Sequence, residues 1–280
     1  MKKQLKNLTI KDNFMFAAVM LDEDNCKGFL ERALQIQIDH VEVSTEKNIV
    51  YHPEYKGVRL DVYAKDENNT HYNVEMQVSS QSSLGLRSRY YQSHMDMEML
   101  LSGSEYAELP NSYVIFICDF DPFGEKKYKY TFEMECKETK KAKLQDKRNI
   151  IFLSTKGRNA DEVPQELVHF LKFVEADLKE SQKDFQDEYV RKLQGFVKHI
   201  KQNREMEEKY MLFEELLKDE RKEGEHTGMV NSLIMFLENF GEVPEELKEK
   251  VSEERNQEVL KGWIQTAAKS KSLEEFIAKM

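Results

Sequence analysis

Polar and apolar residues alternate most cleanly between Val58 and Ser79. Val58–Ala64 and His71–Ser79 read as two strands joined by the polar turn Lys65–Thr70, whose Asp, Glu and two Asn residues form turns readily. On the second strand Tyr72, Val74, Met76 and Val78 point one way, and Asn73, Glu75, Gln77 and Ser79 the other. If the hairpin is symmetric about Asn68, residues whose numbers sum to 136 face each other. Asp61 then stands opposite Glu75 on one face, with Cβ atoms roughly 5 Å apart. Gln77 lies about 6.7 Å further along that face.

Helical and strand periods alternate around this hairpin. Ile10–Met20 and Asp24–Leu34 read as short helices, and His40–Ser44 as a first strand followed by a loop through Pro53 and Gly57. Ser83–Ser102 is helical, with Leu86, Tyr90, Met97 and Leu101 spaced for one face and Gly103 as its stop. Tyr113–Asp119 is a continuous apolar run of the length of a buried central strand. Tyr128–Cys136 and Asn149–Ser154 read as further strands, and Pro164–Lys179 as a helix with Leu167, Phe170, Leu171, Val174 and Leu178 inward. From Asp184 strand signals cease and helix formers dominate. Gly224 and Gly228 read as interruptions before helices over Met229–Asn239 and Pro244–Glu254, and Leu260–Met280 closes the chain. Trp263, Ala267 and Phe276 read as core of this tail. The pattern divides the chain into an α/β domain, 1–180, and a helical region, 181–280, whose simplest role is packing and self-association into a homo-oligomer.

Facing carboxylates repel, so a sheet does not make such a pair for stability. A divalent cation between them turns the liability into a site, and two hard oxygen ligands with retained waters suit Mg²⁺, with Mn²⁺ as the alternative. Asp61, then Glu75-Met-Gln77, resembles the PD-(D/E)XK nuclease signature with Gln where Lys usually stands. A second match exists: Asp121, then Glu135-Cys-Lys137. The order of elements separates them. A long helix and an apolar strand follow Gln77, whereas only a polar, lysine-rich loop follows Lys137.

Composition changes the picture in two places. The net charge of −10 opposes binding to a polyanion, yet Lys137–Arg148 carries six basic residues against two acidic ones. That strip (Lys140, Lys141 and Lys143) and Arg87 are the candidates for holding a DNA backbone, Arg87 by bidentate contact with a phosphate. Three cysteines without CxxC spacing suggest neither a disulfide framework nor a zinc site. The absence of an apolar leader and of any 18-residue apolar run leads us to expect a cytoplasmic protein with no membrane contact. Scattered histidines and the lack of a nucleophile elbow or Gly-rich phosphate loop argue against nucleophilic protein catalysis and nucleotide-driven work.

Taken in order, KDNFMFAAVM, FLERAL, RLDVY, YNVEMQ, RSRYYQSHMDMEMLLSG, IFICDFDPFG, EKYMLFEELLKDERKEG and the closing W…A…LEEF resemble the PD-(D/E)XK nuclease family transposases, the recombination-promoting nuclease group, over nearly the whole chain. Asn13 stands where the family's opening block has a second Asp. The resemblance implies a restriction-endonuclease-like mixed sheet flanked by helices, followed by an all-α tail. It implies a Mg²⁺-dependent DNA endonuclease linked to DNA mobilisation or recombination. Asp61 and Glu75 match the metal-binding acids, Gln77 the Glu-x-Gln residue, and Glu31 the first-helix acid that supports the metal. The Met76 carbonyl joins the expected ligands. Two other functions stay open on the residues: a catalytically quiet DNA- or protein-binding member of this fold, and a helical interaction protein whose tail carries the function.

Overall fold

The computed structural model describes residues 3–49, 58–80 and 83–280. The loop read through Pro53 and Gly57 lies outside the described residues. The described chain forms two compact units, Met1–Glu207 and Glu208–Met280.

The first unit opens with helices α1 (Asn13–Met20) and α2 (Glu23–Leu34). Strands β1 (Val41–Ile49), β2 (Val58–Asp66) and β3 (His71–Gln77) follow, and then helix α3 (Leu84–Met99). After it come β4 (Ser112–Cys118), β5 (Lys129–Phe132), β6 (Arg148–Ser154), α4 (Gln165–Glu175) and α5 (Glu188–Gln202). Among the described residues the strands make one six-stranded sheet in the order β1-β2-β3-β4-β6-β5. The β1, β2 and β3 pairings are antiparallel, β3, β4 and β6 run parallel, and β5 returns antiparallel. The apolar run read as a central strand is β4, and Val114 through Cys118 are fully buried within it. The fold is thus the helix-flanked mixed sheet that the resemblance implies.

The hairpin turn is built as its composition suggests. Asp66 Oδ1 accepts from the backbone N–H groups of Asn68 and Thr70, while Asn69 takes the left-handed conformation. The buried Tyr72 hydroxyl donates to Asp66 Oδ2 at 2.7 Å, fixing the carboxylate that organises the turn. The register follows: Val62 faces Val74, Tyr63 faces Asn73 and Lys65 faces His71, every pair summing to 136.

Several elements depart from their sequence reading. The strand expected to reach Cys136 stops at Phe132, after which Glu135 and Lys143 form an isolated bridge. The expected apolar face of α3 points outward, Leu86 being 62% and Met97 56% exposed, and the helix ends at Met99, which leaves Leu101 beyond it. The helix instead buries Leu84, Tyr91 and Met95 in a core with Val114, Phe116, Cys118 and Phe152, and beside them the polar Ser88, Gln92 and His94, Gln92 donating to the Ser112 hydroxyl. The first unit also runs past the boundary drawn at residue 180. Tyr189 on α5 donates its hydroxyl to the Asn25 carbonyl, and its ring lies where a Cβ on Gly28 would come within 2.6 Å. That close approach needs glycine on α2.

Helix α6 (Arg204–Glu238), which begins in the last residues of the first unit, runs unbroken through Gly224 and Gly228, which therefore do not interrupt it. An exposed helical glycine costs about 1 kcal/mol, which a helix of this length absorbs. α7 (Glu245–Glu253), α8 (Gln257–Ala267) and α9 (Leu273–Lys279) complete the second unit, so the closing stretch is two helices rather than one. Leu233, Leu237, Val251, Leu260, Ala267 and Phe276 form its core, with Trp263 packed against it.

Candidate active site

β2 and β3 pair as far as Val62 and Val74, and beyond that point side chains replace the ladder. The Asp61 backbone N–H donates to Glu75 Oε1 at 3.2 Å, and the Met76 N–H donates to Asp61 Oδ2 at 3.2 Å. Each carboxylate is thereby fixed by the other's strand. Gln77 O accepts from Asp119 N, so the β3 carbonyls on odd positions turn toward β4. Carbonyls alternate along a strand, so the Met76 carbonyl turns toward β2, where the ladder has ended.

Glu75 is 1% exposed and Gln77 8%, while Asp61 is half-buried. Burial, with the like charge of Asp61 added, pushes the Glu75 carboxyl up to about 8; the Asp61 N–H and the Arg87 guanidinium oppose that shift. Arg87 reaches down from α3. Its Nη1 donates to Gln77 Oε1 at 3.0 Å, and its Nη2 donates to the Tyr91 hydroxyl at 2.7 Å and to Glu75 Oε2 at 3.4 Å. Its guanidinium carbon lies 5.2 Å from the Tyr91 ring centroid and 5.7 Å from that of Phe116, so the charge is framed by aromatic faces.

The structure brings Asp61, Glu75, Gln77, the Met76 backbone and Arg87 together. It does not bring Glu31, whose Oε1 accepts from Ile38 N at 3.2 Å and fastens the chain leaving α2. Among the described residues no three of His, Cys, Asp and Glu gather as a metal-binding group. A cation here would therefore rest on two carboxylates and a carbonyl, with water completing its shell. The donor set nonetheless fits: two facing oxygens, one of them deeply buried and driven toward protonation, are what a dication would relieve.

Lys140, Lys141 and Lys143 are exposed, on a loop that joins the sheet away from the pair. Their loop enters β6 at Arg148, which pairs through Ser112 with His71, whereas Glu75 pairs through Phe116 with Phe152. Two strands across and four residues along put that point of entry roughly 15 Å from Glu75. The second motif does not assemble. Asp121 accepts from the Phe123 and Lys126 N–H groups and from the Tyr130 hydroxyl, which caps its own loop, and Glu135 sits exposed on the isolated bridge.

Two further residues of the site were not read from the sequence. Tyr91 is one; the four-residue step from Arg87 was its signal. Asn73 is the other, at 0% exposure on the face of Glu75, near enough to favour the ionised carboxylate although neither amide atom has a hydrogen-bond partner.

A six-stranded mixed sheet flanked by helices, with a helical C-terminal region, fits the class of PD-(D/E)XK nuclease folds. The chain belongs to the family described as PD-(D/E)XK nuclease family transposase, whose model matches residues 13–227. No curated protein and no solved structure matches it. Membership suggests a nuclease- or transposase-like function with DNA as substrate, and such nucleases generally use divalent metals. No helix among the described residues is long and apolar enough to cross a membrane.

Proposed function

We propose that the protein is a Mg²⁺-dependent DNA endonuclease acting in DNA mobilisation or recombination. The observation that carries this reading is the facing of Asp61 and Glu75 where the β2–β3 ladder opens. Asp61, Glu75 and the Met76 carbonyl would hold the ion. An ion held there would supply polarisation of the scissile phosphate and a lower pKa for a coordinated water. Gln77 takes the place of the usual Lys. Its Oε1 is engaged by Arg87, which leaves Nε2 to donate toward water or phosphate. Being neutral, it adds no charge to stabilise hydroxide. Arg87 supplies the nearby fixed cation, placed to shift from Glu75 to a phosphate oxygen. Incubation of the purified chain with supercoiled plasmid tests the reading: nicking with Mg²⁺ and none in EDTA is expected, and no nicking with either Mg²⁺ or Mn²⁺ overturns it.

Arg87 gripping both Glu75 and Gln77 also favours a second reading, a catalytically quiet DNA-binding member. Mg²⁺-independent binding without nicking is its signature.

The lysine strip lies away from the chemistry and belongs, in this reading, to backbone binding. Neutralising Lys140, Lys141 and Lys143 together should weaken DNA binding and flatten the slope of log affinity against log salt by about 0.9 for each phosphate no longer neutralised. Cleavage at saturating DNA should change little. An unaltered slope would assign the strip to solvated surface.

Self-association belongs, in the same reading, to the helical region. There α6 leaves Leu212 62% and Leu216 65% exposed, one turn apart. Light scattering should show fewer chains per particle for Leu212→Ser/Leu216→Ser than for the parent chain; equal particle sizes would remove α6 from that role.

A further inference from the structure

A cavity of about 570 Å³ opens in the first unit, between the segment Lys6–Ile10, the turn at Leu178–Gln182 and α5. None of its lining belongs to the carboxylate site. Ile10, Phe173 and Val197 form an apolar floor, all of them buried. The rim carries Lys6, Arg191, Lys198 and Lys201, and no Asp or Glu lines the cavity among the described residues. In a chain of 52 acidic and 42 basic residues, four cations around one cavity with no carboxylate run against the composition.

Most of this charge is not spoken for. Arg191 meets Asp184 at 3.5 Å, but both side chains are about two-thirds exposed, so water screens the pair. Lys6 and Lys198 have no ion pair among the described residues. Lys201 is half-buried, and burial holds its ammonium below the ordinary lysine range. The acid that opposes this, Asp12, is already paired with Lys3 at 2.6 Å. The wall is braced independently of any ligand: Gln194 Nε2 donates to the carbonyls of Ser181 and Lys183, tying α5 to the turn. The size is that of small-molecule sites, and an apolar floor with a few convergent polar groups is their usual chemistry.

We propose that this cavity binds a small organic anion, with an apolar ring on Ile10, Phe173 and Val197 and its phosphate, sulfonate or carboxylate held by Lys198 and Lys201. The site is separate from the nuclease reading and stands if that reading falls.

The full chain is titrated calorimetrically with 1-anilinonaphthalene-8-sulfonate and, in parallel, with its uncharged parent N-phenyl-1-naphthylamine. One saturable site for the sulfonate is expected, with the neutral compound at least about tenfold weaker. Lys198→Glu/Lys201→Glu, which alters side chains at the rim and not the floor, should lose at least about tenfold in sulfonate affinity with an unchanged melting transition. The triple Lys140, Lys141 and Lys143 to Ala variant should bind like the parent. Equal affinity of the two compounds, or an unaffected Lys198/Lys201 variant, would reduce the cavity to an apolar cleft and overturn the proposal. Stoichiometric displacement of the sulfonate by duplex DNA would overturn it too, by assigning the lysines to a nucleic-acid path.

Discussion

Glu75→Gln should abolish Mg²⁺-dependent nicking, with a loss on the order of a hundredfold to a thousandfold or more, while the protein stays folded. The fold survives because Gln keeps the shape of Glu75 and its oxygen can still accept from Asp61 N. What is lost is the anionic ligand in the most buried position of the pair. Gln77→Ala should slow the reaction less, since Arg87 and the two acids remain. Glu135→Ala should leave it unchanged, since Glu135 is exposed and takes no part in Asp121's hydrogen bonds. Plasmid nicking measured on all three variants decides the matter. Wild-type rates for Glu75→Gln and Gln77→Ala together would sink the site, and an inactive Glu135→Ala would move it to the second motif.

The second large effect is thermodynamic. The folded-state pKa of Glu75 is raised above its unfolded value near 4.5, up to about 8. Between those values the folded chain holds a proton that the unfolded chain has released. Stability therefore falls as pH rises through this window. In EDTA the melting temperature should decline from pH 5 to pH 8. Asp61→Asn removes one of the causes, so its decline should be shallower, burial being the larger cause and still present. At pH 8 the variant should be more stable than wild type by about 1 kcal/mol, a shift of a few degrees. Adding Mg²⁺ should reverse the order. Wild type gains about 1.4 kcal/mol at ten times Kd, and the variant, with one ligand weakened, gains far less. Melts that respond alike to pH and to Mg²⁺ would show that the two carboxylates are independent surface charges.

Much of this was legible in the chain. The hairpin register followed from the position of Asn68 and strict alternation, because a slip by one residue would have put Tyr72 and Val74 on the wrong face. The central strand was legible because five consecutive buried residues leave little alternative. The faces of α3 were not. Periodicity assigns apolar residues inward, but this helix also meets Glu75, Gln77 and the Ser112 hydroxyl, so Arg87 and Gln92 turn in beside Leu84, Tyr91 and Met95, and Leu86 and Met97 turn out. The same reasoning misjudged Gly224 and Gly228, where local propensity was overruled by the helix on either side. The lysine strip was correctly read as basic, but its distance from the acids depended on strand order, which composition does not encode.

The outward stripe of α3 bears on how that helix is held. Leu84, Tyr91 and Met95 anchor it in the core with Val114, Phe116 and Cys118, and with the outward residues contributing little, polar grips add to that anchor, among them Arg87 on Glu75, Gln77 and Tyr91. The free energy of lifting α3 from the sheet would then depend in part on what occupies the carboxylates. In the proposed reading, an ion that took Glu75 from Arg87 would loosen the helix at its N-terminal half, and a phosphate engaging both ion and Arg87 would fasten it again. Local opening of α3 would in that way rise and fall with the state of the site while global stability moves separately.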